Sequence, residues 1–364
     1  MGFALDLEKR YELCIRNLQE VITPDELKTL LETNDHPSGY VGFECSGLMH
    51  IGTALVVGRK MLDWVEAGFK FTIFLADWHS WINNKLGGVL ENIRIGGEYF
   101  KDCFKALGLT EDRVRYLWAS ELVDDSDYWA IVVRVMKNST LRRIKRALPI
   151  MGRSLDVGDV EAAWLLYPAM QASDIFAMSL DCACGGMDQR KVHMLARDVA
   201  PKLGFKTPVC LHSPLLPGLR GEAVSGVFDE DEAVNRSIRT KMSKSIAQGA
   251  IWVNDEPDVI REKYRMAYCP PRQAEGNPVM EHARLIVFPH LGVLDIDRPS
   301  KYGGPITVES YAELEKLYTS GELHPLDLKN AVAEAIIKIL EPVRRYFKNH
   351  PENLERLKEL QVTR

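Results

Sequence analysis

Apolar and polar residues alternate along this chain with two periods, one helical and one extended. Residues 7–33 interleave charged and apolar positions at helical spacing and break near Ile22-Thr23-Pro24-Asp25. This predicts two helices, the second capped by Thr23 or Asp25. Pro37-Ser38-Gly39 ends that pattern, and the apolar run over 40–44 reads as a strand. After the turn at Ser46-Gly47, residues 50–67 read as a helix, 69–77 as a strongly apolar strand, 90–107 as a helix and 114–118 as a third strand. Strand and helix in strict alternation predict a parallel sheet with helices on both faces, an α/β fold. Residues 120–178 are mostly helical, an insertion between strands. Then 180–183 reads as a strand, 189–203 as a helix and 208–211 as a strand. The stretch 215–240 is loop-like and carries the acid run Asp229-Glu230-Asp231-Glu232. Beyond about 254 the strand signal fades and helices recur at 257–267, 308–318 and 326–348. The pattern divides the chain into an α/β unit over 1–254 and a mostly α-helical unit over 255–364.

Composition narrows the classes. The 364 residues are 46% hydrophobic and 27% charged, which suits a globular chain with a real core and excludes disorder, collagen or coiled coil as whole-chain descriptions. No run of 18 apolar residues predicts a membrane span. The opening residues bring in charge too early for a secretory leader, and Met1-Gly2 lacks the Ser or Thr at position six that myristoylation uses. A net charge of −5 excludes a uniformly basic coat but not a local patch. The seven cysteines show no C-x₂₋₄-C spacing, so no zinc site is expected and reduced core thiols in a cytoplasmic protein are.

Two segments carry phosphate chemistry. The first, Glu44-Cys45-Ser46-Gly47-Leu48-Met49-His50-Ile51-Gly52-Thr53, lies where the first strand turns into a helix. A helix start at a strand's carboxyl end offers free N–H groups to phosphates. His50 can donate to a phosphoryl oxygen, and Gly52 lets a flat base lie against the backbone. The second is Lys241-Met242-Ser243-Lys244-Ser245, two lysines around a serine, which can clamp a polyphosphate as charge grows on leaving pyrophosphate. A third segment holds Tyr167, Gln171 and Asp174 at i, i+4 and i+7, one helix face. Such a stripe is a poor core face and suits a polar ligand bearing an amine and a phenol. Asp174 would accept from a phenolic hydroxyl and Tyr40 would contact the same oxygen. A fourth runs from Arg134 to Arg153, with Lys137, Arg142, Arg143, Lys145 and Arg146 between and no acid over 131–155, and fits a phosphate backbone.

These segments resemble those of class I aminoacyl-tRNA synthetases. His50-Ile51-Gly52-Thr53 is similar to their HIGH element, with Thr53 replacing the last His, and Lys241–Ser245 matches their KMSKS element unchanged. Residues 167–175 resemble the tyrosine-binding helix, and 185–194 the loop that handles ribose and amino acid, of the archaeal and eukaryotic tyrosyl type. The likeness spans about 35–348. It implies a Rossmann-like catalytic domain with the helical insertion, and an anticodon-binding domain from 255. It implies L-tyrosine and ATP as substrates, with Mg²⁺ carried by ATP and no protein metal site. It also implies tRNA(Tyr) as partner, a homodimer, no membrane and a cytoplasmic location. By this likeness His50, Lys241 and Lys244 stabilise the reacting phosphate. Tyr40, Tyr167, Gln171, Asp174 and Gln189 hold tyrosine, with Tyr167, Gln171 and Gln189 at its α-amino group and Asp174 and Tyr40 at its phenol. Gly42, Gly52, Thr53, Gly186, Asp188, Met242, Ser243 and Ser245 surround ATP. Arg142, Arg143, Arg146, Arg190 and Lys191 meet the acceptor end, and Tyr302, His324 and Asp327 read the anticodon.

Alternatives stay open at this level. His324-Pro325-x-Asp327 is equally a plain helix start. Asp174 would also accept from an indole N–H, so tryptophan competes with tyrosine. A nucleotidyltransferase of similar fold would keep His50–Gly52 without needing 255–364. A catalytically dead RNA-binding relative would be expected to lose the lysines of 241–245, which are present. The 215–240 stretch looks longer than the likeness requires and has no assigned role.

Overall fold

The computed structural model describes residues 5–152, 161–221, 228–242 and 249–362. Two short elements open the chain: α1 (Leu7–Ile15) and β1 (Glu20–Ile22). Thr23 then caps α2 (Pro24–Thr33) with a reciprocal capping box through Glu26. The α/β alternation follows as β2 (Ser38–Phe43), a π-helical stretch Gly52–Val57 running into α3 (Gly58–Glu66), β3 (Lys70–Leu75), α4 (Asp77–Ile82), α5 (Leu90–Ala106) and β4 (Val114–Trp118). The insertion supplies α6 (Ala119–Val123), α7 (Ser126–Lys137), α8 (Leu141–Ala147) and α9 (Leu166–Ala177). Next come β5 (Cys182–Gly186), α10 (Arg190–Leu203), β6 (Val209–Ser213) and α11 (Glu232–Thr240).

The first six strands form one sheet in the order β1-β6-β5-β2-β3-β4, parallel except for β1, which pairs antiparallel with β6 through Val21 and Leu211. From β2 the chain winds one way through β3 and β4, then returns to build β5 and β6 on the other side. The switch therefore lies between β2 and β5, whose carboxyl ends leave a crevice where α/β sheets bind ligands.

Several elements differ from the sequence expectation, each for a local reason. β1 is an edge strand of three half-buried residues, too short to show a period. β5 lies two to three residues later than expected, because Cys182-Ala183-Cys184-Gly185-Gly186 lacks the β-branched residues that mark strands. The 215–240 stretch is not all loop: Asp231, within the acid run, caps α11 by accepting from the Ala233 and Val234 amides.

After residue 254 come α12 (Pro257–Arg265), α13 (Pro278–His282), a π-helical turn Ala283–Val287, α14 (Phe288–Leu291), β7 (Leu294–Ile296), β8 (Ile306–Val308), α15 (Tyr311–Ser320), α16 (Pro325–Asn349) and α17 (Glu352–Val362). The β7–β8 hairpin, the helical run from 278 and α17 were not expected, and α15 starts three residues late. This part does not stand off from the sheet. One cluster of buried residues passes from Leu13 in α1 to Leu357 in α17. α17 lies on α5, where Asp102 accepts from Tyr346 Oη at 3.2 Å and Asn353 Nδ2 at 2.8 Å. The rings of Tyr99 and Phe347 meet with centroids 5.5 Å apart. All seven cysteines are free, and six are buried. Among the described residues no helix is long and apolar enough to cross a membrane.

Candidate active site

The crevice at the switch point opens into a cavity of about 540 Å³. β2 contributes Tyr40, Gly42 and the following Glu44; α9 contributes Tyr167, Gln171 and Asp174; the end of β5 contributes Gly186, Asp188 and Gln189; His50, Gly52, Thr53, Lys241 and Met242 complete the wall. Residues up to 202 apart in the chain thus line one space. Ser243, Lys244 and Ser245 lie outside the described residues, as does Arg153.

The inner end is polar and unsatisfied. Asp174 is 1% exposed; its Oδ1 accepts from Tyr128 Oη at 2.8 Å, and its Oδ2 lies 3.2 Å from His79 Nε2 without the alignment of a hydrogen bond. Tyr40 Oη, both ring nitrogens of His79 and Asp174 Oδ2 are all buried without a hydrogen-bond partner. Buried polar groups are almost always paired, so this cluster fits a polar ligand that supplies the bonds. Burial, then the Asp174 charge, pushes both the Tyr40 and Tyr128 phenols well above their ordinary range, which keeps them protonated and able to donate.

Glu44 governs the middle of the cavity. It accepts from Tyr167 Oη at 2.9 Å and Asn83 Nδ2 at 2.7 Å, and Lys85 Nζ stands 3.2 Å from its other oxygen. Tyr167 is thereby a donor to Glu44 and keeps its oxygen lone pair for a ligand. Gln171 Nε2 donates to Gln189 Oε1 at 3.0 Å, which leaves the Gln171 carbonyl as an acceptor. Sequence reasoning missed Glu44, His79 and Tyr128. A carboxylate ending an apolar strand at 44 was the one local signal. His79 and Tyr128 reach the site only through tertiary packing.

The outer end carries the phosphate elements. His50 Nδ1 takes the Thr53 amide at 3.3 Å, and a Cβ at Gly52 would come within 3.1 Å of that ring, so glycine is what admits the close approach. Lys241 Nζ donates to Asp188 Oδ2 at 2.8 Å. Burial draws each of this pair toward its neutral form. The facing charge and hydrogen bond win, so Asp188 is held below the usual carboxylate range and Lys241 above its own. Among the described residues no group of three His, Cys, Asp or Glu can hold a metal ion.

The remaining expected residues lie elsewhere. In the basic segment Arg143 pairs with Asp198 at 2.6 Å and Arg146 with Glu230 at 2.7 Å, so acids from α10 and the acid run face cations that look unopposed in the sequence. Arg142 is exposed. Arg190 pairs with Glu20 at 2.9 Å and Lys191 with Asp229 at 3.2 Å. Tyr302 is 62% exposed, with Lys301 Nζ 4.8 Å from its ring centroid. His324 is the N-cap of α16, its side chain accepting from the Leu326 amide at 3.1 Å, and Asp327 sits half-buried in the first turn.

Comparison with known proteins is consistent across sequence and fold. Residues 32–341 match the family of class I tRNA synthetases for W and Y. The chain is 50% identical over 345 residues to a tyrosine–tRNA ligase from Aeropyrum pernix, covering 93% of both chains. It is 44% identical over 356 residues to one from Saccharolobus solfataricus, covering 98% of this chain and 97% of that one. Its fold is similar to the crystal structure of tyrosyl-tRNA synthetase from Pyrococcus horikoshii complexed with L-tyrosine, with TM-score 0.91, 41% identity and coverage of 98% and 100%. The Aeropyrum pernix crystal structure gives TM-score 0.86 at 43% identity.

Proposed function

Because this chain belongs to the class I tRNA synthetases of the tryptophan and tyrosine family, we propose that the cavity joins L-tyrosine to ATP and passes the tyrosyl group to tRNA(Tyr). The observation that carries the reading is the convergence of three buried, unpartnered groups at the inner end: Tyr40 Oη, His79 and Asp174 Oδ2. A phenol entering there donates its proton to Asp174 Oδ2 and accepts from Tyr40. A site that bonds a hydroxyl in both senses leaves its own groups unpaired when phenylalanine enters, which is how it rejects it.

The ammonium of tyrosine lies against Tyr167 Oη and the carbonyl of Gln171, with Gln189 fixing that amide and Glu44 supplying the nearby charge. Asp188, Gly42 and Gly186 place the ribose and the amino acid, and Gly52 and Thr53 the base and phosphates. ATP enters as its Mg²⁺ complex, the ion held by phosphate oxygens. The tyrosine carboxylate oxygen attacks the α-phosphorus, the bond to the bridging oxygen breaks, and pyrophosphate leaves. His50, Lys241 and Lys244, with Met242, Ser243 and Ser245 around them, stabilise the charge that moves onto that group. The terminal ribose hydroxyl of tRNA then attacks the tyrosyl carbonyl and AMP leaves. No covalent enzyme intermediate is needed; positioning supplies the rate.

Arg142, Arg143, Arg146, Arg190 and Lys191 receive the acceptor end, the last four exchanging carboxylate partners for phosphates. Tyr302, His324 and Asp327 read the anticodon from the unit beginning near 255. A second copy of the chain covers Val133 and Leu141, which are 53% and 58% exposed on α7 and α8. The enzyme works in the cytoplasm. The test is ATP–pyrophosphate exchange with each of the twenty amino acids. Exchange with tyrosine alone is expected; exchange with tryptophan, or with none, overturns the assignment.

A further inference from the structure

The segment 216–219 is a backbone splint beside the 240–249 stretch. Leu216 O accepts the Met242 amide at 2.7 Å, the Gly218 amide donates to Thr240 O at 2.9 Å, and the Leu219 amide donates to Gly249 O at 2.9 Å. It therefore grips the chain at 240–242 and again at 249, on both sides of the 243–248 stretch. Three backbones meet here. A Cβ on Gly218 would stand 3.3 Å from Gly249 O and 3.6 Å from Met242 Cα.

The splint is itself held from the C-terminal helices. Its Leu219 carbonyl accepts the Tyr268 amide at 2.8 Å. Its Pro217 carbonyl accepts from His282 Nε2 at 2.8 Å, and His282 Nδ1 accepts from Tyr264 Oη at 2.8 Å. A carbonyl only accepts, so Nε2 carries the proton and Tyr264 fixes the tautomer. His282 is fully buried at the end of α13, and burial pushes its pKa down to about 4, so it stays neutral in this role. The π-helical turn that begins directly after His282 packs against the π-helical turn that begins at Gly52, beside His50.

We propose that His282 is a positioning residue for amino-acid activation: from the C-terminal helices it sets the 216–219 splint that aims Lys241 at the phosphates of ATP. This rests on the reading of Lys241–Ser245 as the phosphate clamp. It assigns the C-terminal part a share in the first half-reaction, before any tRNA is bound.

The test compares His282→Leu with His282→Gln in the full-length enzyme, since a glutamine amide can still donate to Pro217. For His282→Leu, kcat of tyrosine-dependent pyrophosphate exchange should fall about tenfold or more, as small misplacements do. The KM for ATP should rise several-fold while tyrosine binding without ATP stays unchanged. The Met242 and Gly218 amides should exchange hydrogen faster. His282→Gln should recover most of both effects. The proposal is overturned if His282→Leu only melts earlier and keeps wild-type kcat and ATP KM, if tyrosine binding falls in step with them, or if Gln behaves as Leu does. Failure of the wild type to exchange with tyrosine would sink the clamp reading instead. Amide exchange at Met242 would still decide whether His282 holds the splint.

Discussion

Lys241 Nζ stands 2.8 Å from Asp188 Oδ2, so the residue that follows α11 is tied to the end of β5 at the wall of the cavity. On the ribose placement proposed above, ATP shares or displaces this pair. Asp188→Asn weakens the acceptor and strips a half-buried ammonium of its counter-charge. It should lower kcat/KM for ATP by about 1–3 kcal/mol while leaving tyrosine binding intact. Asp188 is lowered and Lys241 raised, so the pair's contribution is lost only as pH falls below about 3.8 or climbs past about 10.5. The wild-type to variant ratio should therefore be the same at pH 6 and pH 8; a ratio that collapses at pH 6 argues against an ion pair in the working enzyme.

Asp174 has one oxygen on Tyr128 and one unpartnered. Asp174→Ala removes the acceptor proposed for the phenol. It should cost about 2–4 kcal/mol in kcat/KM for tyrosine. Circular dichroism should show an intact fold. Wild-type activation of tyrosine with continued exclusion of phenylalanine would place the pocket elsewhere.

Lys244→Ala tests the clamp where the sequence alone speaks. Charge on pyrophosphate grows toward the transition state, so this lysine's benefit is differential: kcat should drop while KM for tyrosine holds. Equal losses in rate and tyrosine affinity would mark a structural lysine.

Asp327→Ala should spare pyrophosphate exchange and weaken charging in a base-specific way, by about 1–3 kcal/mol against tRNA with the native first anticodon base. Arg142→Ala with Arg143→Ala should weaken charging for any anticodon and flatten its salt dependence. If Asp327→Ala affects native and substituted tRNA alike, the capping geometry at His324 is all that this helix start provides.

His282 also predicts an acid limb in stability. Its pKa falls from 6.5 to about 4 on folding, so the unfolded chain takes up the proton first and stability declines as pH drops through that window. The contribution is about 3 kcal/mol. Urea unfolding at pH 7.5 and 4.5 should show the wild type losing more than His282→Gln between the two; parallel losses would exclude the imidazole as the source.

How far the sequence reaches depends on where a residue's partners come from. β2 and β3 are legible because buried parallel strands are near-continuous apolar runs, and the edge strand β4 because Val114, Tyr116, Leu117 and Trp118 are strand formers around an exposed Arg115. β5 is blurred because two cysteines, an alanine and two glycines fill the same role without β propensity. Tyr167, Gln171 and Asp174 announce themselves by spacing on one helix. Tyr128 is 46 residues from Asp174, and His79 comes from α4, so their convergence on that carboxylate exists only in three dimensions. Likewise Asp198 and Glu230 answer arginines whose own neighbourhood holds no acid.

The unbroken core from Leu13 to Leu357 imposes a timetable on biosynthesis. The residues beyond 254 number about 110, which a ribosome adds in roughly 5–20 s. Throughout that interval the face of α5 bearing Tyr99 and Asp102 waits for Phe347, Tyr346 and Asn353 to emerge. A nascent chain halted near 254 should thus be cut by protease within the sheet-bearing part, and α5 is the segment a chaperone would hold. Extension through α17 should abolish both behaviours at once.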